Sequence, residues 1–472
     1  MLKLTTFHSS ANKIKIKKLR GKQTSLIIMT CFLVCVQTLD INSAVCRCTT
    51  KSKFGKPFVV LWNSPTEGCH VNFRVNIELE KYGILTNSNQ TWNGEVITVF
   101  YNGQLGLYPY YRNDNKSSKV NDGLPQLTNI TQHLQKASQH IVDKIPVPMY
   151  SGLAVIDWEG WRPIWETNFG KKHLYVTESI ALVKMDGRVR NISTLHAEAK
   201  RQFEQAGRHL IVETIKLGQK LRPKALWGFY GFPDCHGNCT ELNKKWNNRL
   251  TWLYNSTNAL FPSIYLMDDF WDNNKYVGER LKEAFRVSKI GRKPGYELPV
   301  FPYLRPVYHF GARDFKMLNE DDLENAIGQT VDHGCAGLIL WGNHYDESTS
   351  QEICLKYKNY VNNKLGPYIS LLTEELETCS AGKCYSNGRC YDTDILEGGN
   401  FTSCKSTVKY GSVFKIKSKT ADFQEKQSQT MSKKKNSKSQ RTADIRQQSS
   451  HLLINLGIGH QDQPQRKTPL FI

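Results

Sequence analysis

Two acidic residues stand immediately after an apolar run, at a spacing that suits a catalytic pair of carboxyl groups. Asp157 and Glu159 follow Leu153–Ile156, whose length and β-branching predict a buried parallel strand that gives way to a loop. Because side chains alternate along a strand, the two acids point to one face and Trp158 to the other. In α/β barrels the chemistry lies just past the C-terminal ends of such strands. The pattern therefore favours a catalytic acid pair over the alternative, a surface loop with incidental acids.

The spacing of Asp157 and Glu159 also indicates a kind of reaction. Residues two apart on a strand lie roughly 7 Å apart at Cα, side by side. That arrangement is awkward for a nucleophile and an acid on opposite sides of a glycosidic bond. It suits Glu159 as acid/base and Asp157 as acceptor for the N–H of a 2-acetamido group, whose own carbonyl oxygen attacks the anomeric carbon. Repulsion between the two charges should raise one pKa and keep Glu159 protonated.

Apolar segments elsewhere in the chain predict the other strands. Besides the strand at 152–159, we expect strands at 57–63, 95–101, 225–230, 263–267, 299–304 and 336–342. Helical periodicity predicts helices near 131–145, 193–221, 276–290, 319–333 and 351–365. This alternation indicates an α/β fold, and about seven parallel strands in a chain of this length favour a closed TIM-like barrel. The absence of a glycine-rich phosphate loop after the first strand argues against a nucleotide fold.

Polar and aromatic side chains stand at the predicted strand ends. If the barrel closes, these ends converge on the face of the acid pair and bring together Asn63, Tyr101, Tyr230, Tyr265 and Trp341. Aromatic faces stack on pyranose rings and polar groups orient hydroxyls, so this set is typical of a sugar-cleaving site. The histidines lack zinc-binding spacing, and we expect neither a metal ion nor a cofactor.

The basic excess of the chain lies at its two ends. The net charge is +20, but residues 23–404 carry only +3, while residues 1–22 and 405–472 carry +7 and +10. Such ends suit a polyanionic partner, and solvated disordered tails explain them equally well. The balanced region has no zinc finger, RNP-type motif or basic helix, so a nucleic-acid partner is not expected.

Several features predict a secreted, extracellular chain. A basic stretch, an apolar core at 26–36 and small residues after it indicate a signal peptide over 1–44, with an uncleaved anchor as the alternative. Seven N-x-S/T sequons agree with secretion, at Asn89, Asn115, Asn129, Asn191, Asn238, Asn255 and Asn400. The cysteines beyond the signal are odd in number, so at least one should lack a partner within the chain. We expect a small Cys235–Cys239 disulfide loop and a buried thiol at Cys335.

The composition changes towards the C-terminus. We expect a catalytic barrel over 45–375, and the spacing of Cys379, Cys384, Cys390 and Cys404 resembles the opening of an EGF-like disulfide module at 376–404. This module is incomplete, because the later cysteines of such a module are missing. Residues 405–472 are rich in Lys, Ser and Gln and predict a disordered basic tail.

Taken together, these stretches resemble a known family, the hyaluronidases of glycoside hydrolase family 56, over roughly 57–400. The resemblance rests on 152–163 (GLAVIDWEGWRP), 213–217 (ETIKL), 226–235 (LWGFYGFPDC), 261–266 (FPSIYL), 283–288 (EAFRVS) and 337–342 (GLILWG). It implies a distorted barrel with fewer than eight strands and a C-terminal EGF-like module. It also implies endo-hydrolysis of the β-1,4 bond between N-acetylglucosamine and glucuronate in hyaluronan, with some action on chondroitin.

The resemblance further implies a retaining, substrate-assisted mechanism and assigns roles to individual residues. Glu159 corresponds to the proton donor and Asp157 to the acid that orients the acetamide group. Tyr230 and Tyr265 correspond to site tyrosines, and Trp341 to a cleft aromatic. Two alternatives remain open: a catalytically weak glycosaminoglycan-binding or adhesion protein that keeps the cleft, and a chondroitin-preferring hydrolase.

Other positions match the family with less specific roles. Those near its site are Asn63, Tyr101, Asp234 and Arg280. Arg280 could otherwise be an ordinary charge on a helix surface. The implied disulfides are Cys69–Cys354 and Cys379–Cys390, and a Cys384–Cys404 pair is left open. Gly160 stands where the family often has a larger polar residue, which should loosen the loop behind Glu159. We expect a monomer.

Overall fold

The computed structural model describes eight segments of the chain, and the candidate site lies among them. These segments are 47–50, 54–187, 191–267, 272–290, 297–308, 315–343, 350–386 and 388–391. The expected signal peptide, the sequon at Asn400, the cysteine at position 404 and the expected tail at 405–472 lie outside the described residues.

Short strands, most of them parallel to their neighbours, form the scaffold. They are β1 (Arg47–Thr50), β2 (Val59–Asn63), β3 (Leu85–Thr86), β4 (Ile97–Phe100), β5 (Tyr110–Tyr111), β6 (Lys119–Val120), β7 (Leu153–Ile156), β8 (Leu226–Phe229), β9 (Tyr303–Leu304), β10 (Gly337–Trp341) and β11 (Gly388–Tyr391). Two parallel sheets, in the orders β3-β2-β10-β9 and β4-β7-β8, curve around one interior. Ile156 at the end of β7 stands opposite Phe100 and Phe229, so the chain leaves β7 between the ends of β4 and β8.

The helices lie outside these sheets. They are α1 (Glu67–Phe73), α2 (Ile130–Lys144), α3 (His173–Met185), α4 (Ile192–Leu221), α5 (Glu241–Arg249), α6 (Thr251–Ser256), α7 (Asn273–Ser288), α8 (Glu320–Leu323), α9 (Gln329–Asp332), α10 (Gln351–Tyr360) and α11 (Gly366–Lys383). Asn129 and Asn191 are the N-cap residues of α2 and α4, and their side-chain oxygens accept backbone N–H groups of the first turn. None of the described helices combines the length and the apolarity needed to cross a bilayer.

The expected strand at 263–267 is wrong. This segment meets its neighbours only through isolated parallel bridges, such as the one between Ser263 and Tyr303. Pro262 and Pro302 have no N–H to donate, so a continuous ladder cannot form here, and the expected strand at 299–304 shrinks to β9. Conversely, β3 was not expected and pairs with β2. Six of the seven expected strands are therefore present, and β3 is a strand that the sequence did not predict.

A side chain closes the barrel between β3 and β4. The amide nitrogen of the fully buried Asn87 donates to the carbonyl of Ile97 at 3.0 Å. Its oxygen accepts the backbone N–H groups of Val96 and Ile97, each at 3.0 Å. Asn87 thus satisfies backbone groups that a neighbouring strand would satisfy in a regular barrel. The α/β barrel is confirmed, and this seam is one physical source of its distortion.

Side chains alternate between two cores, and this alternation sets the direction of the acid pair. Leu153 and Val155 face the barrel interior. Ala154 and Ile156 pack against the helices. Asp157 continues the interior series at the point where β7 ends.

Two expected helices differ from the structure in their course. The helix expected at 319–333 is divided into α8, a π-helical turn at Glu324–Gly328, and α9. The helix expected at 351–365 does not end there, because a second π-helical turn, Val361–Leu365, leads directly into α11. Helical backbone therefore crosses the expected domain boundary at residue 375.

Three expected disulfides are confirmed, namely Cys69–Cys354, Cys235–Cys239 and Cys379–Cys390. Cys335 is a buried free thiol, as expected. Cys384 is disulfide-bonded, but its expected partner lies outside the described residues, so that pairing stays a prediction. An EGF-like fold for 376–404 also stays a prediction. Its described part is the end of α11 and β11, which pairs antiparallel with β1.

Candidate active site

Asp157 and Glu159 both face a cleft at the C-terminal ends of the parallel strands. This cleft has a volume of about 400 Å³ and is lined by Val99, Tyr101, Asn102, Asp157, Glu159, Tyr230, Tyr265, Tyr303 and Trp341. Trp158 points the other way into the core, where its ring stacks on Tyr108 at a centroid distance of 4.5 Å. The expected alternation is confirmed, and it puts two acids side by side in one cleft.

An aromatic wall stands opposite the acid pair. Trp341 stacks on Tyr265 at a centroid distance of 5.8 Å, and its indole N–H donates to the hydroxyl of Tyr101 at 3.0 Å. The guanidinium of Arg305 lies 5.5 Å from the centre of the Trp341 ring. These contacts hold the indole in one orientation.

The tyrosines in the cleft are neutral hydroxyl groups. Burial raises the pKa of Tyr101, Tyr230 and Tyr265, and the nearby carboxyl groups raise the pKa of each further. Tyr230 lies 6.1 Å from Tyr265 between ring centroids. All three therefore keep their hydroxyl protons near neutral pH and can donate hydrogen bonds.

Asn63 does not line the cleft but supports it. It is fully buried at the end of β2, and its amide donates to the carbonyl of Trp92 at 2.8 Å. The Trp92 ring in turn contacts Tyr101 and Trp341, at centroid distances of 5.3 and 6.3 Å. A direct contact between Asn63 and substrate stays a prediction.

A second, smaller cavity of about 100 Å³ lies on another side of Glu159. Its lining includes Glu159, Arg162, Lys172, Asp234 and His236. Glu159 and Tyr230 line both cavities, whereas Asp157 lines only the larger one. Glu159 therefore lies between the two cavities, the larger one that Asp157 lines and the smaller one that Arg162 and Lys172 line.

Arg280 is not an ordinary helix-surface charge. Its guanidinium is buried, donates to the carbonyl of Ser263 at 2.6 Å and to that of Gly237 at 3.2 Å, and lies 3.3 Å from Asp234. His236 Nδ1 lies 2.7 Å from the other oxygen of Asp234. These partners hold the pKa of Asp234 well below its usual value although burial alone would raise it. Arg280 and Asp234 thus fix one wall of the smaller cavity.

The electrostatics of the pair favour a retained proton. Burial raises the pKa of Asp157 well above its usual value, and the charge of Glu159 raises it further. Burial also raises the pKa of Glu159, while Lys172 and Arg162 lower it and Asp234 raises it. The pair therefore keeps a proton at a pH where free carboxyl groups have lost theirs. The side chain of Glu159 is also accessible to solvent.

The loop behind Glu159 is tight, contrary to the expectation from Gly160. A Cβ added to Gly160 would lie 2.9 Å from the Cβ of Tyr110 and 3.0 Å from the hydroxyl oxygen of Tyr108. The next residue, Trp161, donates its backbone N–H to that hydroxyl at 3.3 Å. Glycine at this position permits close packing of the loop.

Tyr303 and Lys172 are among the residues of the site that sequence reasoning missed. Tyr303 lines the cleft, and its buried hydroxyl has no hydrogen-bond partner among the described residues. It stands near the end of an expected strand, so the strand-end argument that found Tyr265 could have found it. Lys172 lies 12 residues beyond Gly160, at the end of the 3₁₀ turn Gly170–Lys172, and no sequence signal connects the two. Among the described residues, no cluster of three His, Cys, Asp or Glu side chains could hold a metal ion.

A protonated carboxyl beside a second acid, in an aromatic cleft at the mouth of a parallel barrel, is the apparatus of a glycoside hydrolase. Comparison with known proteins shows which family of glycoside hydrolases this is. The hyaluronidase profile of glycoside hydrolase family 56 matches residues 49–450, and the chain belongs to that family.

Individual relatives agree with this assignment. The hyaluronidase of Crotalus adamanteus is 36% identical over 350 residues, which cover 71% of this chain and 76% of that protein. Hyaluronidase-5 of Mus musculus is 38% identical over 351 residues, which cover 72% of this chain and 65% of that protein. The crystal structure of bee venom hyaluronidase matches with a TM-score of 0.60 at 33% identity, covering 66% of this chain and 99% of that one. The same enzyme in complex with a hyaluronic acid tetramer matches with a TM-score of 0.60 at 32% identity, covering 66% and 98%.

Proposed function

We propose that the chain is an endo-β-N-acetylhexosaminidase that cleaves the β-1,4 bonds between N-acetylglucosamine and glucuronate in hyaluronan. Family membership and the bee venom relative solved with a hyaluronic acid tetramer support this substrate. The reaction retains the anomeric configuration, and the nucleophile is the 2-acetamido group of the substrate itself. Unsulfated chondroitin, whose acetamido group can take the same part, is a second and slower substrate.

One observation carries the mechanism. Oδ1 of Asp157 is buried in the cleft region and has no hydrogen-bond partner among the described residues. A buried polar atom without a partner costs about 1–3 kcal/mol. An N–H donor brought by the substrate would remove that cost, and the acetamide N–H is such a donor. Asp157 then turns the acetamide carbonyl oxygen towards the anomeric carbon.

Glu159 carries the proton through both steps. As an acid it protonates the glycosidic oxygen while the acetamide oxygen forms a bond to the anomeric carbon and the leaving sugar departs. The product of this step is a cyclic oxazolinium ion. Glu159, now a base, takes a proton from a water molecule that opens the ring from the vacated face. Two inversions at the same carbon give net retention.

The remaining site residues bind and orient the polymer. Tyr230 and Tyr265 offer neutral hydroxyl donors beside the acid pair, and Trp341 with Tyr101 supplies an apolar wall for a pyranose ring. Asp234 and Arg280, with Asn63 acting through Trp92, hold the walls in place. The contacts described above support these roles.

The chain is also proposed to act as a secreted, glycosylated monomer. The sequons within the described residues all lie at exposed asparagines, namely Asn89, Asn115, Asn129, Asn191, Asn238 and Asn255. Expression in animal cells should release the chain into the medium, and removal of N-glycans should lower its mass. Light scattering should give the mass of one chain. Retention in the cell with no change in mass would contradict this localisation.

The decisive experiment compares acid-pair variants on two polymers. Purified full chain is incubated with hyaluronan or with unsulfated chondroitin, and new reducing ends are counted. Glu159→Gln should lower kcat by about 10²–10⁴-fold without unfolding the chain, because the general acid is lost. Asp157→Asn should also lower kcat strongly. Glu241→Gln, at an exposed position on α5, is the matched control and should leave kcat unchanged.

The outcomes separate the alternatives. Wild-type activity in Glu159→Gln would overturn the assignment of the proton donor. A folded chain that binds but cleaves neither polymer would favour a glycosaminoglycan-binding or adhesion protein. Faster cleavage of chondroitin than of hyaluronan would make the chain a chondroitin-preferring hydrolase.

A further inference from the structure

Lys172 holds the backbone that carries Glu159. Its ammonium group donates to the carbonyl oxygen of Glu159 and, at 3.0 Å, to that of Gly160. Lys172 ends the short 3₁₀ turn Gly170–Lys172, which leads directly into α3. Two carbonyls of the acid-bearing loop thus converge on one cation from a different part of the chain.

Fold stability gives little reason for a lysine at this position. Lys172 stands at the N-terminus of α3, where the helix dipole disfavours a positive charge. Burial lowers the pKa of its ammonium group, and the nearby Arg162 lowers it further. A cation placed against these costs indicates a role other than helix stability.

The loop that Lys172 holds has little freedom elsewhere. Gly160 is packed against Tyr108, Tyr110 and Tyr175, with no room for a Cβ. The indole N–H of Trp161 donates to the carbonyl of Pro109 at 2.9 Å. Lys172 adds hydrogen bonds to the backbone carbonyl groups of Glu159 and Gly160 in this loop.

Several charges surround Glu159, and Lys172 is one of two cations among them. The ionisable groups that act on Glu159 or feel its charge are Lys172, Arg162, Asp234, Asp157, Tyr230, Tyr101 and Tyr108. The groups that act on Lys172 are Arg162, Glu159 and Asp114. Burial raises the pKa of Glu159, and the two cations limit that rise.

We propose that Lys172 is a positioning residue for the proton donor: it holds the backbone of Glu159 and Gly160 in place and puts a positive charge beside the residue that carries the carboxyl. The inference rests on Glu159 being the proton donor. It adds a residue that touches no substrate but sets both the placement and the acidity of the group that does. Loss of Lys172 should therefore change two measurable quantities, kcat and the alkaline limb of the pH profile.

The experiment measures kcat and KM on hyaluronan between pH 3.5 and 7.5 for the full chain and four variants. Lys172→Met removes both hydrogen bonds and charge, Lys172→Gln keeps an N–H donor without charge, and Lys172→Arg keeps both. Lys171→Met, at the exposed neighbour in the same turn, is the matched control. Circular dichroism checks that each variant is folded.

The expected results differ between variants. Lys172→Met should lower kcat by about 10–100-fold through misplacement of the carboxyl, with KM little changed. Its alkaline limb should move up by about half a unit to one unit, because a nearby positive charge is gone. Lys172→Gln should show the same movement with a smaller loss of kcat. Lys172→Arg and Lys171→Met should keep the wild-type limb.

Two results would overturn the inference. One is a wild-type kcat and limb in Lys172→Met. The other is an equal loss of activity in all three Lys172 variants with an unmoved limb, which would leave only a structural role. Should Lys172→Met not fold, the Gln and Arg variants make the same distinction. Glu159→Gln is measured in parallel: its activity would overturn the proposed function, whereas an inactive Glu159→Gln with an unchanged Lys172→Met would overturn this inference alone.

Discussion

A buried histidine beneath the site should make the fold sensitive to acid. His133 on α2 is fully buried, its ring contacts Trp158 at a centroid distance of 5.9 Å, and it lies 2.8 Å from the hydroxyl of Thr214. Its Nδ1 accepts the backbone N–H of Leu107 at 3.0 Å. Burial lowers the pKa of His133 to about 4, and the charge of His140 lowers it further.

The direction and size of the effect follow from that pKa. The unfolded chain binds a proton at this histidine below about pH 6.5, whereas the folded chain resists protonation down to about pH 4. The stabilising contribution is therefore complete above pH 6.5 and is lost as the pH falls from there to 4. Between pH 7 and 4.5 the loss amounts to about 2 kcal/mol of unfolding free energy. His333, also buried with its pKa lowered to about 4, adds a similar loss.

Urea unfolding of wild type and His133→Asn at pH 7 and 4.5 isolates the contribution of His133. The variant should be less stable at pH 7, but its unfolding free energy should fall by about 2 kcal/mol less between the two pH values than that of wild type. His196→Asn, at an exposed position on α4, is the control and should match the wild-type fall. An identical fall in wild type and His133→Asn would refute the reasoning.

Two further predictions concern the fold and the cleft. Replacing Cys69 and Cys354 by serine opens a link between residues 285 apart in sequence and should lower the unfolding free energy by about 5–6 kcal/mol. The Cys235–Cys239 pair, 4 apart, should contribute about 2 kcal/mol, and equal losses in calorimetry would contradict the loop-length argument. Tyr303→Phe removes a buried, unpaired hydroxyl and should lower kcat/KM by about tenfold with no loss of stability. The control Tyr254→Phe breaks a 3.1 Å hydrogen bond to Asn247. It should lower the unfolding free energy by about 1 kcal/mol and leave activity unchanged. Unchanged kcat/KM in Tyr303→Phe would remove that hydroxyl from the site.

The acid pair and its surroundings were predictable because their signals are local. The apolar run before Asp157 and the alternation of strand side chains decide that Asp157 and Glu159 share a face, whatever the rest of the fold does. The strand-end rule then brings Tyr230 and Trp341 to the same cleft without any knowledge of the contacts between them. Tyr265 lies in the same cleft although the strand expected to carry it is absent.

Features that depend on contacts between distant segments were not predictable. The side-chain amide of Asn87 closes the seam between β3 and β4 by hydrogen bonding to the backbone of Val96 and Ile97. Nothing in the sequence around Asn87 indicates these contacts. The break around Pro262 could have been foreseen, since proline has no N–H to donate. The hold of Lys172 on the Glu159 loop arises only when the two segments pack together.

Cleavage of chemically de-N-acetylated hyaluronan tests the central claim most directly. If the acetamide oxygen is the nucleophile and Asp157 its guide, the enzyme should cut only at units that keep the acetyl group, and re-acetylation of the polymer should restore the rate. The measurement counts new reducing ends from native, de-N-acetylated and re-acetylated polymer of one length. Equal cleavage of native and de-N-acetylated polymer would contradict substrate assistance and require a nucleophile from the protein.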